Sequence, residues 1–263
     1  GAGADTFYSG DGVDTIDGNA GIDLVDYSAE LHAISVTIEF GTFQVELDAD
    51  DDGIFDGSAS ELIDELSNIE AIRGTGFDDV LIGQGLDTGV AETFYGGDGN
   101  DYISISAGND TAFGEGGDDE IKATDETFLG AYYDGGTTNE VKGDTIDFNS
   151  FGGTKIVFDM GVNTVGNVSA NSQVHTAINF ENVIGSQSGA DTITGDGSAN
   201  VISGGRGGRN VLDGGGGVDT IDLSNRNIGG ADFSRIEMSR GWFNSHDDAT
   251  DTTFADTERD EIY

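Results

Sequence analysis

Residues 96–104 read GGDGNDYIS: a glycine-rich turn of six residues ending in Asp101, then three residues of strand character centred on Ile103. The next nine, ISAGNDTAF, place Asp110 at the same point, and the nine after those, GEGGDDEIK, place Asp119 there. Gly99, Gly108 and Gly117 stand two residues before each acid, and Ile103, Ala112 and Ile121 two residues after. One apolar residue per nine, always at the same offset, means that each short strand turns one side chain inward. A period of this length is the signature of stacked coils.

The pattern extends in both directions. Asp5, Asp14 and Asp23 are nine apart, with Gly3, Gly12 and Gly21 before them and Phe7, Ile16 and Val25 after. Asp78 and Asp87 follow Gly76 and Gly85. AETFYGGDG at 91–99 echoes ADTFYSGDG at 4–12, with Glu92 where Asp5 stands. Further on, Asp191 and Asp219 keep the offsets, while Asn200 and the pair Arg209-Asn210 stand where an acid belongs.

Two stretches break the period. In residues 28–72, Ile34, Val36, Ile38 and Phe40 alternate with polar residues, then Phe43, Val45 and Leu47 do so after Gly41-Thr42. That spells a β-hairpin with a two-residue turn. DADDDGIFD follows at 48–56, where Asp48, Asp50 and Asp52 have the first spacings of an EF-hand-type calcium loop. Ala59 replaces its closing glutamate, and a solvated acidic turn is the competing reading. Leu62, Ile63 and Leu66 have helical spacing behind Ser60 as N-cap. In residues 123–183, Ile156 and Phe158 resemble the earlier alternating strand, DTIDFNSF at 144–151 echoes DLVDYSAE at 23–30, and Asn179-Phe180-Glu181 echoes Asn68-Ile69-Glu70. The chain thus reads as three units: 1–72 (repeat block plus β insert), 73–183 (the same plan) and 184–263 (a third block with a degenerate last unit).

Composition narrows the function. Of 263 residues 44 are glycine and none is proline, which suits tight turns between paired strands. Formal net charge is −41, from 51 acidic and 10 basic residues. Self-repulsion at that density opposes compaction, argues against a nucleic-acid partner and asks for a cationic counter-charge. No cysteine exists to form disulfides, and no apolar stretch is long enough for a membrane span. The chain opens inside a repeat, so it reads as a piece of something longer.

The repeat also has metal chemistry in it. Calcium takes six to eight oxygens at about 2.3–2.6 Å, more than one turn supplies. Strands in a stack lie about 4.8 Å apart, so an ion between two coils can take ligands from both. Uncompensated, two carboxylates about 5 Å apart repel by roughly 3 kcal/mol at an effective dielectric near 20.

These nonapeptides resemble the calcium-binding repeat of RTX, or haemolysin-type, proteins. The resemblance implies an all-β fold, a parallel β-roll (a β-solenoid) with calcium along both edges, here carrying β-hairpin inserts. It implies carboxylate ligands at Asp5, Asp14, Asp23, Asp78, Asp87, Asp101, Asp110, Asp119, Asp191 and Asp219, with backbone carbonyls near Gly12, Gly99 and Gly108 assisting. Glu92, Asn200 and Arg209 depart from the pattern, so the third block is expected to bind fewer ions. The resemblance further implies type I secretion and folding on calcium outside the cell. The expected role is a non-catalytic module of a larger secreted or cell-surface protein, structural, adhesive or surface-layer, with calcium and neighbouring repeats as partners. The alternative is an accessory domain of a secreted polysaccharide- or protein-degrading enzyme. His32, His175 and His246 stand in no catalytic motif, and Arg226, Arg235, Arg240 and Trp242 read either as an acidic-polysaccharide site or as ordinary packing.

Overall fold

The structure, a computed structural model, describes residues 1–10, 12–39, 42–48, 54–55, 63–83, 91–105, 109–124, 130–151, 155–167, 174–187, 189–206, 210–224 and 235–237. Every regular element among them is a strand, and the strands form two sheets, of twelve and eleven. The first runs from Thr6–Tyr8 to Arg235–Glu237, the second from Thr15–Asp17 to Thr220–Asp222. The chain alternates between them. Thr93–Asp98 is in the first sheet, Tyr102–Ile105 in the second, Thr111–Gly116 back in the first, and Glu120–Ala123 in the second. Strands one coil apart pair in parallel and in register, Thr111 with Thr93 and Tyr102 with Glu120. This is a parallel β-roll, as expected.

The core is built on a column of inward residues in each sheet. In the second sheet Leu81, Ile103, Ile121, Ile146, Val183, Ile202 and Ile221 lie in one register column and are buried. In the first sheet the column runs Phe94, Ala112, Tyr133, Ala177, large against small. Such alternation fills a narrow space without voids.

Each insert is a three-stranded antiparallel meander laid into one sheet. The first comprises Ile34–Glu39, Thr42–Leu47 and Ile63–Ser67 in the second sheet. Its first strand pairs in parallel with Val80–Ile82 ahead, its last with Thr15–Asp17 behind. The second insert, Ile156–Asp159, Thr164–Asn167 and Val174–Ile178, does the same in the first sheet, between Thr192–Thr194 and Tyr132–Thr138. A two-stranded hairpin alone would leave the chain running backwards; a third strand restores the direction that parallel pairing needs.

The expected hairpin is therefore only two-thirds of the insert, and Ile63 and Leu66, which have helical spacing in the sequence, lie in the strand Ile63–Ser67, Leu62 being outside the described residues. Asp64 and Leu66 both point inward there. Asp64 is buried where an apolar residue would have revealed the alternation, and it is held by the Asp14 N–H (2.8 Å) and the Tyr27 hydroxyl (3.1 Å). Thr42 already belongs to the hairpin's second strand, paired with Glu39, one residue earlier than read. The unit boundaries read after residues 72 and 183 fall inside Ala71–Arg73 and Asn182–Ile184, and both sheets continue through those points.

Candidate metal sites along the roll edges

The turns cross from one sheet to the other, and in most described repeats the residue that precedes the next strand is an acid, with Asn200 and Asn210 in that place in the third block. One carboxylate oxygen of that acid accepts a backbone N–H from the preceding coil. Before the second sheet, the Asp79 N–H donates to Asp101 Oδ1 (2.8 Å), the Asp101 N–H to Asp119 Oδ1 (2.8 Å) and the Asp119 N–H to Asp144 Oδ1 (2.7 Å). Before the first sheet, the Asp5 N–H donates to Asp23 Oδ1 (2.8 Å), the Asp23 N–H to Glu70 Oε2 (3.0 Å) and the Glu92 N–H to Asp110 Oδ1 (2.9 Å). The ladder continues in the third block, from the Ile156 N–H to Asp191 Oδ1 (2.9 Å) and from the Asn200 N–H to Asp219 Oδ1 (3.0 Å).

The other oxygen divides the acids into two kinds. Oδ2 of Asp23, Asp101, Asp119 and Asp144 is buried with no hydrogen-bond partner. A glycine Cα packs against it, where any side chain would clash. A Cβ added at Gly114 would meet both Asp119 Oδ2 and the Gly135 carbonyl oxygen. At Gly96 it would meet Asp101 Oδ2 and the Gly114 carbonyl (2.7 Å), at Gly135 Asp144 Oδ2 (2.6 Å) and the Asn179 carbonyl, and at Gly18 Asp23 Oδ2 (2.6 Å) and the Asn68 carbonyl. Each cradle thus gathers a carboxylate oxygen and a carbonyl oxygen of the next coil with no donor between them. Buried oxygens so arranged carry a desolvation cost and repel one another until a cation joins them.

The second kind is closed by the protein itself. Asp79 accepts the Ile34 N–H (2.7 Å), the Thr75 hydroxyl (2.9 Å) and the Thr75 N–H (2.5 Å). Asp191 Oδ2 accepts both the N–H and the hydroxyl of Ser186 (2.9 and 3.0 Å). Thr75 and Ser186 hold the second position of their turns, where Gly97, Glu115 and Gly136 stand in the open ones. At Asn210, Nδ2 donates to the Gly204 carbonyl (2.5 Å), and at Asn200, Nδ2 donates to the Glu181 carbonyl (3.3 Å).

The acids expected from sequence are distributed as follows. Asp23, Asp101, Asp110, Asp119, Asp191 and Asp219 are buried on the ladders, and Asp5 is on its ladder but partly exposed. Asp14 is partly exposed at the foot of the first insert. Gly12 and Gly99 have φ of 122° and 128°, as turn glycines require. Asp78 is displaced from its expected place. Strand Val80–Ile82 pairs Val80 with Tyr102, so Asp79 is the counterpart of Asp101. Asp78 is exposed and accepts the Asn100 N–H (2.7 Å). Counting back from the glycine at 76 misled, because in GTGFDD the glycine stands third, not fourth. Asp48 is buried near the first insert, its N–H donating to the Ala33 carbonyl (2.9 Å). Asp50, Asp52, Asp87, Gly108 and Arg209 lie outside the described residues, as do Arg226, Arg240 and Trp242.

Sequence reasoning did not assign Asp79, Asp144, Glu70 or Glu181 to the edges. Register does: Thr145 pairs with Glu120 and with Asn182, and Leu24 with Ala71, so Asp144 and Glu181 follow Asp119, and Glu70 follows Asp23. The echo of Asn68-Ile69-Glu70 in Asn179-Phe180-Glu181 was the available signal. Both asparagines have positive φ, 51° and 57°, which turns their carbonyls into the Gly18 and Gly135 cradles.

Burial raises the carboxyls of the open column: Asp101 to about 9, Asp144 to about 8 and Asp119 to about 7, with neighbouring carboxylates adding to the rise. An unfolded aspartate titrates near 3.9, so between about pH 4 and pH 9 the cation-free fold holds more protons than the unfolded chain. Its stability therefore falls as pH rises through that window. Calcium replaces those protons, so calcium affinity rises over the same range. The apparent calcium Kd is therefore expected to fall from about pH 5.5 to about pH 8.5; a Kd that rises over that range would contradict this electrostatic picture.

Four stretches, residues 1–25, 88–121, 186–208 and 205–225, match the RTX calcium-binding nonapeptide repeat. The chain carries RTX repeats. No curated protein matches it. RTX repeats bind calcium ions, and the donor set suits that ion: carboxylate and carbonyl oxygens only, contributed by two successive coils. Asp23, Asp101, Asp119 and Asp144, with the carbonyls facing them, would hold it. Gly114→Ala tests the cradle by itself, because no positive φ complicates that site. The added methyl is expected to cost about 1–3 kcal/mol and to weaken calcium binding. Wild-type stability and calcium titration in Gly114→Ala would show that the space is not used.

Proposed function

We propose that this chain is a non-catalytic, calcium-stabilised β-roll module of a larger secreted or cell-surface protein. It stays unfolded where calcium is scarce, leaves the cell by type I export, and folds on meeting extracellular calcium. The observation that carries this reading is the column of buried Oδ2 atoms on Asp101, Asp119 and Asp144, each without a hydrogen-bond partner. Groups of that kind make the empty fold unfavourable and the loaded fold favourable, which is the behaviour of a switch. The exported module then serves as a rigid spacer or adhesive segment, its sheet ends joined to neighbouring repeats of the parent chain.

The test is a calcium titration of chelated protein followed by far-UV circular dichroism. Extracellular modules bind with Kd of about 10⁻⁴–10⁻³ M, and the β signal is expected to appear in that range and not with magnesium alone. A folded spectrum at sub-micromolar calcium would remove the export switch from the account.

A further inference from the structure

The turn from Gly135 to Asp144, GGTTNEVKGD, is ten residues long against six in Gly96–Asp101. Its extra length is tied down. Asp118 Oδ1 accepts the N–H groups of Val141, Lys142 and Gly143 (2.7, 2.8 and 2.9 Å). That clamp delivers Glu140 to the roll edge, where one oxygen each of Glu140, Asp144 and Glu181 lie within 4.8 Å of one another. Asp144 is fully buried, and its Oδ2 has no hydrogen-bond partner; neither has the buried Glu140 Oε1. The Asn179 carbonyl faces the same cradle as Asp144 Oδ2. Glu181 is fixed in place by accepting the Asp144 N–H at Oε2 (2.9 Å). Three carboxylates and a carbonyl converge there among the described residues, and none of the three acids lies within a matched repeat.

We propose that Glu140, Asp144 and Glu181 form a calcium-class divalent-cation site that clamps the base of the second insert. This rests on the calcium reading above but concerns residues the nonapeptide does not contain. Glu140 and Asp144 come before the meander and Glu181 after it, so a cation here joins the coil that enters the insert to the coil that leaves it. The all-oxygen, carboxylate-rich set with flexible glutamate arms suits calcium better than the strict octahedron of magnesium. The first insert has part of the same arrangement: Asp23 Oδ2 and the Asn68 carbonyl meet at Gly18, and Glu70 accepts the Asp23 N–H.

Ions bound by the full chain are counted by native mass spectrometry and titration calorimetry in wild type, Glu140→Gln, Glu181→Gln and the double variant. Glu140 is outside the ladder, so its amide leaves the edge hydrogen bonds intact, and a folded circular dichroism spectrum in calcium checks this. Each single variant is expected to bind about one ion fewer, and the double variant also about one fewer, because the two share a site. Wild-type stoichiometry and affinity in both single variants would overturn the proposal while leaving the calcium module standing. Losses that add to two ions in the double variant would overturn the shared site. A wild type that binds no calcium would remove both readings together.

Discussion

In excess chelator the chain is expected to lose its β circular dichroism and its cooperative thermal transition, and to regain both on return to millimolar calcium. The size of the effect follows from linkage. A ligand at about ten times its Kd stabilises the folded state by about 1.4 kcal/mol per site. Four cradles, those of Asp23, Asp101, Asp119 and Asp144, would then supply on the order of 5 kcal/mol, comparable with the whole stability of many domains. Removal of calcium also exposes the cost of the empty cradles, where carboxyls that burial drives up must take protons or repel. The hydrophobic contribution is thin, since each strand adds only one or two inward apolar residues, such as Ala112 alone or Ile103 with Ile105. A spectrum and a melting temperature unmoved by chelator would mean that this apolar column holds the roll unaided.

The second large effect is expected from exchanging acid and amide at equivalent turns. Asp119 Oδ1 accepts the Asp101 N–H (2.8 Å), and an asparagine oxygen can do the same. What Asp119→Asn changes is the inward atom. In place of an unpartnered Oδ2 it offers an N–H donor near the Gly135 carbonyl, as Asn210 Nδ2 does at Gly204. The variant should therefore be more stable than wild type at limiting calcium, by about 1–3 kcal/mol, and gain less as calcium is raised. Asn210→Asp should do the reverse, weakening the fold at limiting calcium and increasing the rise in Tm as calcium is added. A Cβ at Gly204 would meet the Asn210 amide, as one at Gly114 would meet the Asp119 carboxylate. The comparison is read from Tm at limiting and at saturating calcium in both variants. An Asp119→Asn protein with the full wild-type calcium response would show that Oδ2 is not a ligand.

The roll itself was legible because three position classes, acid, glycine and inward apolar residue, stay in phase from Asp101 to Asp119. What could not be read was register across the departures. Asp79 hid beside Asp78 because its turn places glycine third, and only the pairing of Val80 with Tyr102 identifies it. The third strand of the first insert hid because Asp64 takes an inward position through bonds to Asp14 and Tyr27, partners that are remote in sequence. Glu70 and Glu181 were visible as an echo, but their role depends on a meander that returns them to the edge beside Asp23 and Asp144. The division between open and self-closed acids was written in one residue, Thr75 or Ser186 against Gly97 or Gly136, whose meaning appears only once the hydroxyl is seen on the carboxylate.

The most direct test is a crystal of the chain grown in calcium, with ions located by their anomalous scattering. Density is expected between successive coils at Asp101, Asp119 and Asp144, bonded to their Oδ2 atoms at about 2.3–2.6 Å, and none at Asp79 or Asn210. Coils stacked with those oxygens still unbonded in millimolar calcium would contradict the claim that metal closes the edge.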